Sequence, residues 1–144
     1  TISTGVGGVR IDHGKIDENT SGFEPGWELI AVDGKELHVE DVLSGKGVGK
    51  EIGKNPKEML DNDFWDGKAK ILAHFLNNVI VMWSPDVVVL GGSMMNEIGI
   101  PIPATEKYLK EICTIFPTLP PLKHSTLGDL GGLWGAMELL KQNM

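Results

Sequence analysis

The sequence predicts an α/β domain built on a mixed β-sheet. Three observations carry this reading: short strand-like runs punctuated by glycine over residues 1–18, a long apolar stripe at helical spacing over 63–83, and an uninterrupted apolar run, Val87-Val88-Val89-Leu90, closed by Gly91-Gly92. Strands come first, and then helix, strand, helix, strand and helix follow, an order that lays helices against a sheet. At 144 residues the chain is long enough for one domain with a sizeable core.

The first strand-like run, Thr1-Ile2-Ser3, meets a Thr4-Gly5-Val6-Gly7-Gly8 turn at once. Glycine lets backbone approach a ligand and aims consecutive amides at it, so this turn suits phosphate or sugar oxygens. The same pattern also describes a plain tight hairpin. Val9-Arg10-Ile11 alternates, and Asp12-His13-Gly14-Lys15 supplies a hairpin turn. Residues 19–38, rich in Gly, Glu and Pro, read as irregular. Residues 39–45 read as a helix start or as a short helix closed by Gly45. Gly47, Gly49 and Gly53 then predict a loop, and Pro56 begins a helical turn.

The strongest helix covers Asp63 to Trp83, with Ile71, Leu72, Phe75, Leu76, Val79, Ile80 and Trp83 on a broad buried stripe. Pro85 ends it. The run from Val87 to Leu90 reads as an interior strand buried on both faces, forming the core with that helix. Residues 104–116 form an amphipathic helix with Cys113 as a small core residue. Residues 122–127 read as a short strand and 131–142 as the last helix. Trp27, Trp65, Trp83 and Trp134 are core candidates, although Trp27, beside Pro25-Gly26, could line a pocket.

Composition excludes several classes. The net charge of −7 and the lack of a Lys/Arg cluster argue against a nucleic-acid surface. A single cysteine excludes an internal disulfide and a multi-Cys zinc site. The apolar stretch from Leu76 to Leu90 is interrupted by Asn77, Asn78, Ser84, Pro85 and Asp86, so no membrane span is expected. With no signal peptide visible, the expected location is the cytoplasm. Neither a P-loop nor a GxGxxG dinucleotide fingerprint occurs. His38, His74 and His124 lack metal-ligand spacing. No Ser–His–Asp or Cys–His order stands out.

Chemistry is expected at three glycine turns: Gly5 to Gly8, Gly91-Gly92-Ser93, and Gly128 with Gly131-Gly132. Ligands of α/β sheets sit beyond strand ends, and helix N-termini there favour phosphate. Glu24, Glu28, Glu40 and Asp41 offer acceptors for sugar hydroxyls. Glu28 and Asp41 read as solvated surface.

Together these residues resemble the C-terminal lobe of the ROK family (repressors, open reading frames and sugar kinases), a branch of the ribonuclease H-like, actin/hexokinase-type fold. Thr1 to Gly8 resembles the family's T-[LI]-[GS]-T-G-[VI]-G-G loop. Phe23-Glu24-Pro25-Gly26 resembles the front of E-x-G-H, and residues 39–45 resemble L-E-x-x-x-S-G. Asn77 to Gly92 resembles the helix–strand–Gly-Gly adenosine element, and residues 127–136 resemble the closing L-G-x-x-A-G-x-x-G-A helix. The matches run in the family's order over nearly the whole chain.

The resemblance implies roles. Thr4, Gly5, Gly7 and Gly8 would bind phosphate, Glu24 and Glu40 would bind a hexose or amino-sugar, and Gly91, Gly92 and Ser93 would contact the nucleotide. The implied reaction is phosphoryl transfer from ATP, with Mg²⁺ on its phosphates, to a sugar hydroxyl; such catalysis is mainly positioning and charge neutralisation. A homodimer is expected. Two features depart from the family. Trp27 stands where the family has His, and residues 30–38 replace its Cys-rich zinc loop, so no structural zinc is expected. An indole at 27 could stack on a sugar face. The family's catalytic Asp and D-x-G-x-T hairpin belong to an N-terminal lobe not found in residues 1–144. The expectation is therefore a C-terminal lobe that is inactive alone, since acid–base help is worth about 10²–10⁴-fold in rate. The alternatives are the sugar-sensing lobe of a ROK-type transcriptional regulator and an interaction module with a decayed site.

Overall fold

The computed structural model describes residues 1–17 and 20–142, with the backbone alone for Asp129 and Gln142. The last position of the strand-like region predicted over residues 1–18 lies outside the described residues. β1 (Ile11–Asp12) and β2 (Lys15–Ile16) pair antiparallel with Ile11 opposite Ile16. His13 and Gly14 close this hairpin at φ 49° and 78°, the left-handed pair that a two-residue turn requires.

The segment expected to be irregular is instead ordered. A 3-10 turn covers Pro25–Trp27, and a second hairpin joins β3 (Leu29–Val32) to β4 (Lys35–His38). Asp33 and Gly34 supply its turn at φ 51° and 75°. Ile30 is buried, and Val32 and Leu37 pack against the core, which holds the hairpin in place.

α1 (Val39–Leu43) buries Val39, Val42 and Leu43. The expected loop after it is α2 (Gly45–Ile52), so Gly45 opens a helix rather than closing one. Each interior glycine disfavours a helix by about 1 kcal/mol. Packing overrides this: Val48 is fully buried and Ile52 lies against the core. A Cβ on Gly47 would stand 2.2 Å from the Asp41 carbonyl oxygen, so glycine is what lets α1 and α2 approach. Ser44 Oγ caps α2 by accepting from the Gly47 N–H at 2.9 Å. A 3-10 turn at Pro56–Glu58 follows, capped by Asn55.

α3 (Asn62–Trp83) starts at Asp61, whose carboxylate accepts from the Asp63 N–H at 2.9 Å, and stops at Ser84, left-handed before Pro85. Leu72, Leu76 and Ile80 form its buried stripe. α4 (Ile102–Ile112) packs along α3, starting and ending earlier than the pattern suggested, with Cys113 buried just after it. The Tyr108 hydroxyl on α4 donates to the Asp66 carboxylate on α3.

β5 (Val88–Leu90) pairs parallel with β6 (Leu122–His124), Val88 opposite Leu122. Double-sided burial of this strand is not what the structure has. Leu90 is buried and Val88 half-buried, but Val89 is 59% exposed, because no described element covers that face. β6 also ends at His124 rather than residue 127. The strands occur as three separate pairs, two antiparallel and one parallel, within a mixed α/β chain. α5 (Gly131–Gln142) leaves Leu133, Trp134 and Leu140 exposed. Of the tryptophans expected in the core, Trp65 is buried and Trp83 half-buried, while Trp27 and Trp134 are exposed; the ring contact of Trp27 with His38 leaves it 63% exposed. No helix among the described residues is long and apolar enough to cross a membrane.

Candidate functional site

The loop at residues 1–8 is held from two sides. Ile2 and Val6 bridge across its neck. On one side the Ile2 N–H donates to the Gly91 carbonyl at 2.7 Å, and the Ile2 carbonyl accepts from the Met94 N–H at 3.1 Å. The Ser3 and Ser93 hydroxyls lie 3.1 Å apart. On the other side the Val6 N–H donates to Glu40 Oε2 at 3.0 Å. The Pro25–Trp27 turn, which begins at Glu24, closes on the same residue: a Cβ on Gly26 would stand 2.3 Å from the Val6 carbonyl oxygen. The fold therefore gathers the expected phosphate loop, Gly91–Ser93, Glu40 and the turn carrying Glu24 around one short segment.

Four of the eight glycines in the three expected ligand turns have packing reasons of their own, whereas a Cβ on Gly128 or Gly132 of the third turn would meet nothing within 4 Å. A Cβ on Gly5 would stand 2.7 Å from Glu40 Oε2, and one on Gly8 would stand 3.0 Å from Pro25 Cγ. One on Gly91 would stand 2.8 Å from Ser125 Cβ. Gly92 sits at φ 104° with its missing Cβ 2.2 Å from the Ile2 carbonyl oxygen. Gly7 differs: its φ is not left-handed, and a Cβ there would meet nothing within 4 Å. The fold makes no steric demand for glycine at position 7; its N–H donates to the Thr1 carbonyl at 3.0 Å, and the space where a Cβ would stand is open.

Glu40 is half-buried, with Oε2 engaged by Val6, while the Glu24 side chain is exposed. Glu28, expected on solvated surface, is instead half-buried and accepts from the Asn78 side-chain amide; its carbonyl accepts from the Val39 N–H at 3.0 Å. It ties the start of β3 to α1 and α3, which explains an acid on an inward-facing position. Asp41 is exposed, as expected. Trp27 presents its ring to the edge of His38, with centroids 4.8 Å apart, and its carbonyl lies 2.8 Å from His38 Nδ1. Residues 30–38, opposite the family's zinc loop, belong to the β3–β4 hairpin. Among the described residues no group of three or more His, Cys, Asp or Glu side chains is arranged to hold a metal ion.

Sequence reasoning missed two residues here. A cavity of about 340 Å³ is lined by Thr4 and Ser93 together with Lys46, Asn55 and Lys57. The lysines are eleven positions apart and form no run, so only the α2 fold-back places them on one wall.

Comparison with known proteins gives the family and the fold. The family model described as "ROK family" matches residues 1–143. A fructokinase from Pediococcus pentosaceus is 27% identical over 96% of this chain and 53% of its own length. An uncharacterised protein from Clostridium perfringens (strain 13 / Type A) is 26% identical over 99% of this chain and 54% of its own. Among solved structures, a ROK hexokinase from Thermus thermophilus superposes with TM-score 0.71 at 20% identity, covering 94% of this chain and 55% of that one. A ROK family protein from Streptococcus pneumoniae TIGR4, solved with sucrose, superposes with TM-score 0.77 at 20% identity, covering 99% and 56%. The chain thus spans about half the length of these relatives.

Proposed function

The chain belongs to the ROK family, and from that premise we propose that it is the sugar- and nucleotide-binding lobe of an ATP-dependent sugar kinase. One observation carries the proposal. The loop at residues 1–8 is bonded to Glu40 on one face and to the Gly91–Ser93 turn on the other. A group held by Glu40 and a group held by Ser93 would therefore both border the same loop. The fructokinase relative and the sucrose-bound structure support a sugar as the acceptor.

In this reading Glu40, whose Oε2 already accepts from Val6, offers Oε1 to a sugar hydroxyl, and Glu24 offers a second carboxylate. The open space beside Gly7 lets the loop come close to the transferring phosphate, although the Gly7 N–H itself is engaged by the Thr1 carbonyl at 3.0 Å. Gly91 and Gly92 bring the backbone of the nucleotide turn close, and Ser93 provides a hydroxyl. Mg²⁺, bound with the nucleotide, would neutralise phosphate charge; we assign it no ligand in this chain. We assign the base that takes the hydroxyl proton to no residue of this chain either, and we expect the 144-residue chain alone to bind without turnover. A homodimer belongs to the same reading.

The test is calorimetric binding of a panel of hexoses and amino-sugars and of ATP, with coupled ADP release, on the longest natural form of the protein. Sugar-dependent ADP release that is lost in Glu24→Ala and Glu40→Ala supports the kinase. Sugar binding without ADP release refutes it in favour of a sugar-sensing regulator.

A further inference from the structure

We propose that Lys46 and Lys57 form the cationic seat for the phosphate chain of the nucleotide; this deepens the kinase reading and rests on it for the identity of the ligand. At the start of α2 the backbone itself cannot hold an anion. A helix N-terminus is ordinarily a ready anion site because its first amides lack partners. Here those amides are spent. The Gly45 N–H donates to the Ser3 carbonyl at 2.6 Å and the Lys46 N–H to the Thr4 carbonyl at 3.3 Å. The Gly47 N–H donates to Ser44 Oγ and the Val48 N–H to the Ser44 carbonyl. These bonds fasten α2 to the loop, and they leave no first-turn amide for an anion.

The positive charge must then come from side chains, and the cavity beside this helix supplies it. Its lining holds Lys46 and Lys57 and no Asp or Glu. This is unusual in a chain of net charge −7. A second cavity, of about 510 Å³, by contrast mixes Glu51, Asp33 and Asp63 with Lys68 and Lys70. Among the described residues neither Lys46 nor Lys57 has an ion-pair partner, and both side chains are exposed. The same lining includes Thr4, from the phosphate loop, and Ser93, from the nucleotide turn. Two uncommitted ammonium groups between those elements suit a run of phosphates, and neither attracts an uncharged sugar. An ammonium is a point charge on a flexible stem, able to follow phosphates that change position between substrate and product. The cavity's volume falls in the range of small-molecule sites.

The experiment measures ATP, adenosine and inorganic tripolyphosphate binding by calorimetry in magnesium-free, low-salt buffer, with the natural chain and Lys46→Gln/Lys57→Gln. Both side chains are exposed and both backbone amides keep their bonds, so the variant should fold; circular dichroism and melting verify this. The expected result is ATP and tripolyphosphate binding weakened by about tenfold or more, with adenosine changed by less than about twofold. Unchanged ATP binding in the variant overturns the lysine seat and leaves the nucleotide reading standing. Adenosine weakened as much as ATP also overturns it, because the lysines would then act through the fold. Tripolyphosphate binding lost in the variant, from a protein that shows no sugar-dependent ADP release, upholds the seat while the kinase reading fails. No binding of ATP or tripolyphosphate by the natural chain overturns both.

Discussion

Replacing Gly5 by alanine perturbs Glu40 without touching it. The new Cβ would stand 2.7 Å from Glu40 Oε2, the oxygen that accepts the Val6 N–H at 3.0 Å. A carbon and a carboxylate oxygen cannot share that spacing, so the carboxylate must swing away and release the amide. Val6 is 5% exposed, so its freed N–H has little access to water. A hydrogen bond to a charged acceptor is worth about 1.5–3 kcal/mol. Glu40 is only half-buried, and solvent recovers part of the loss, which leaves about 1–2 kcal/mol. Gly5 is not left-handed, so alanine fits the backbone and returns about 0.4–1 kcal/mol through the unfolded state. Gly5→Ala alone should therefore destabilise by about 1 kcal/mol, or about 3–5 °C in Tm for a chain of this size. In a Glu40→Ala background the carboxylate is gone, the steric conflict with it, and the same substitution should stabilise by about 0.5 kcal/mol. Urea unfolding of the four proteins measures this cycle, and the expected coupling is about 1–2 kcal/mol. Additivity within about 0.3 kcal/mol would show that Glu40 does not hold the loop, and the site as described would fall.

Three further outcomes test the rest of the architecture. Gly92→Ala places a side chain at φ 104°, ψ 167°, a glycine-only region, with its Cβ 2.2 Å from the Ile2 carbonyl oxygen; it should lose more than about 1–3 kcal/mol by denaturant unfolding. In the pair of buried Lys68 with half-exposed Glu51, Glu51→Gln should cost more than Lys68→Met, by about 1–3 kcal/mol, because it strands an ammonium in the interior; equal midpoints in urea would refute this. Tyr108, the single tyrosine, has a phenol held above its ordinary pKa, first by its hydrogen bond to Asp66, then by burial and by the negative charge of Asp66 and Glu111. The folded state prefers the protonated phenol, so this stability is present below the unfolded tyrosine's pKa and is lost as pH rises through the folded value. Tyrosinate absorbance should show a titration above the ordinary range that moves down in Asp66→Asn.

Legibility differed from element to element. α3 was readable because its apolar stripe and Pro85 stop agree locally; its start, capped by Asp61, falls just before the Asp63 read from the pattern. The β1–β2 hairpin was readable from its His13-Gly14 turn. The β3–β4 hairpin carried an equally local signal, Asp33-Gly34 directly after the apolar run Leu29 to Val32, that the surrounding Gly, Glu and Pro obscured. α2 was not readable by propensity, because its glycines are chosen for contact with Asp41 and Ser3 rather than for helix formation. Val89 exposes the opposite failure: a buried-strand pattern states that a residue will be covered, not that this stretch of chain does the covering.

The α/β class, the ROK resemblance and the residues from which a site could be drawn were all legible without coordinates. All of these rest on side-chain types at short spacing. Only the tertiary structure decided how they meet. It set Glu40 on the Val6 amide, the Ser93 hydroxyl beside Ser3, and Lys46 and Lys57 on one cavity wall. It also showed that Gly5, Gly8, Gly91 and Gly92 answer to crowding, whereas Gly7 does not. The reason is physical. A local pattern reports what a residue can do with its near neighbours, whereas close approach and charge convergence depend on partners tens of positions away, brought together only when the core closes.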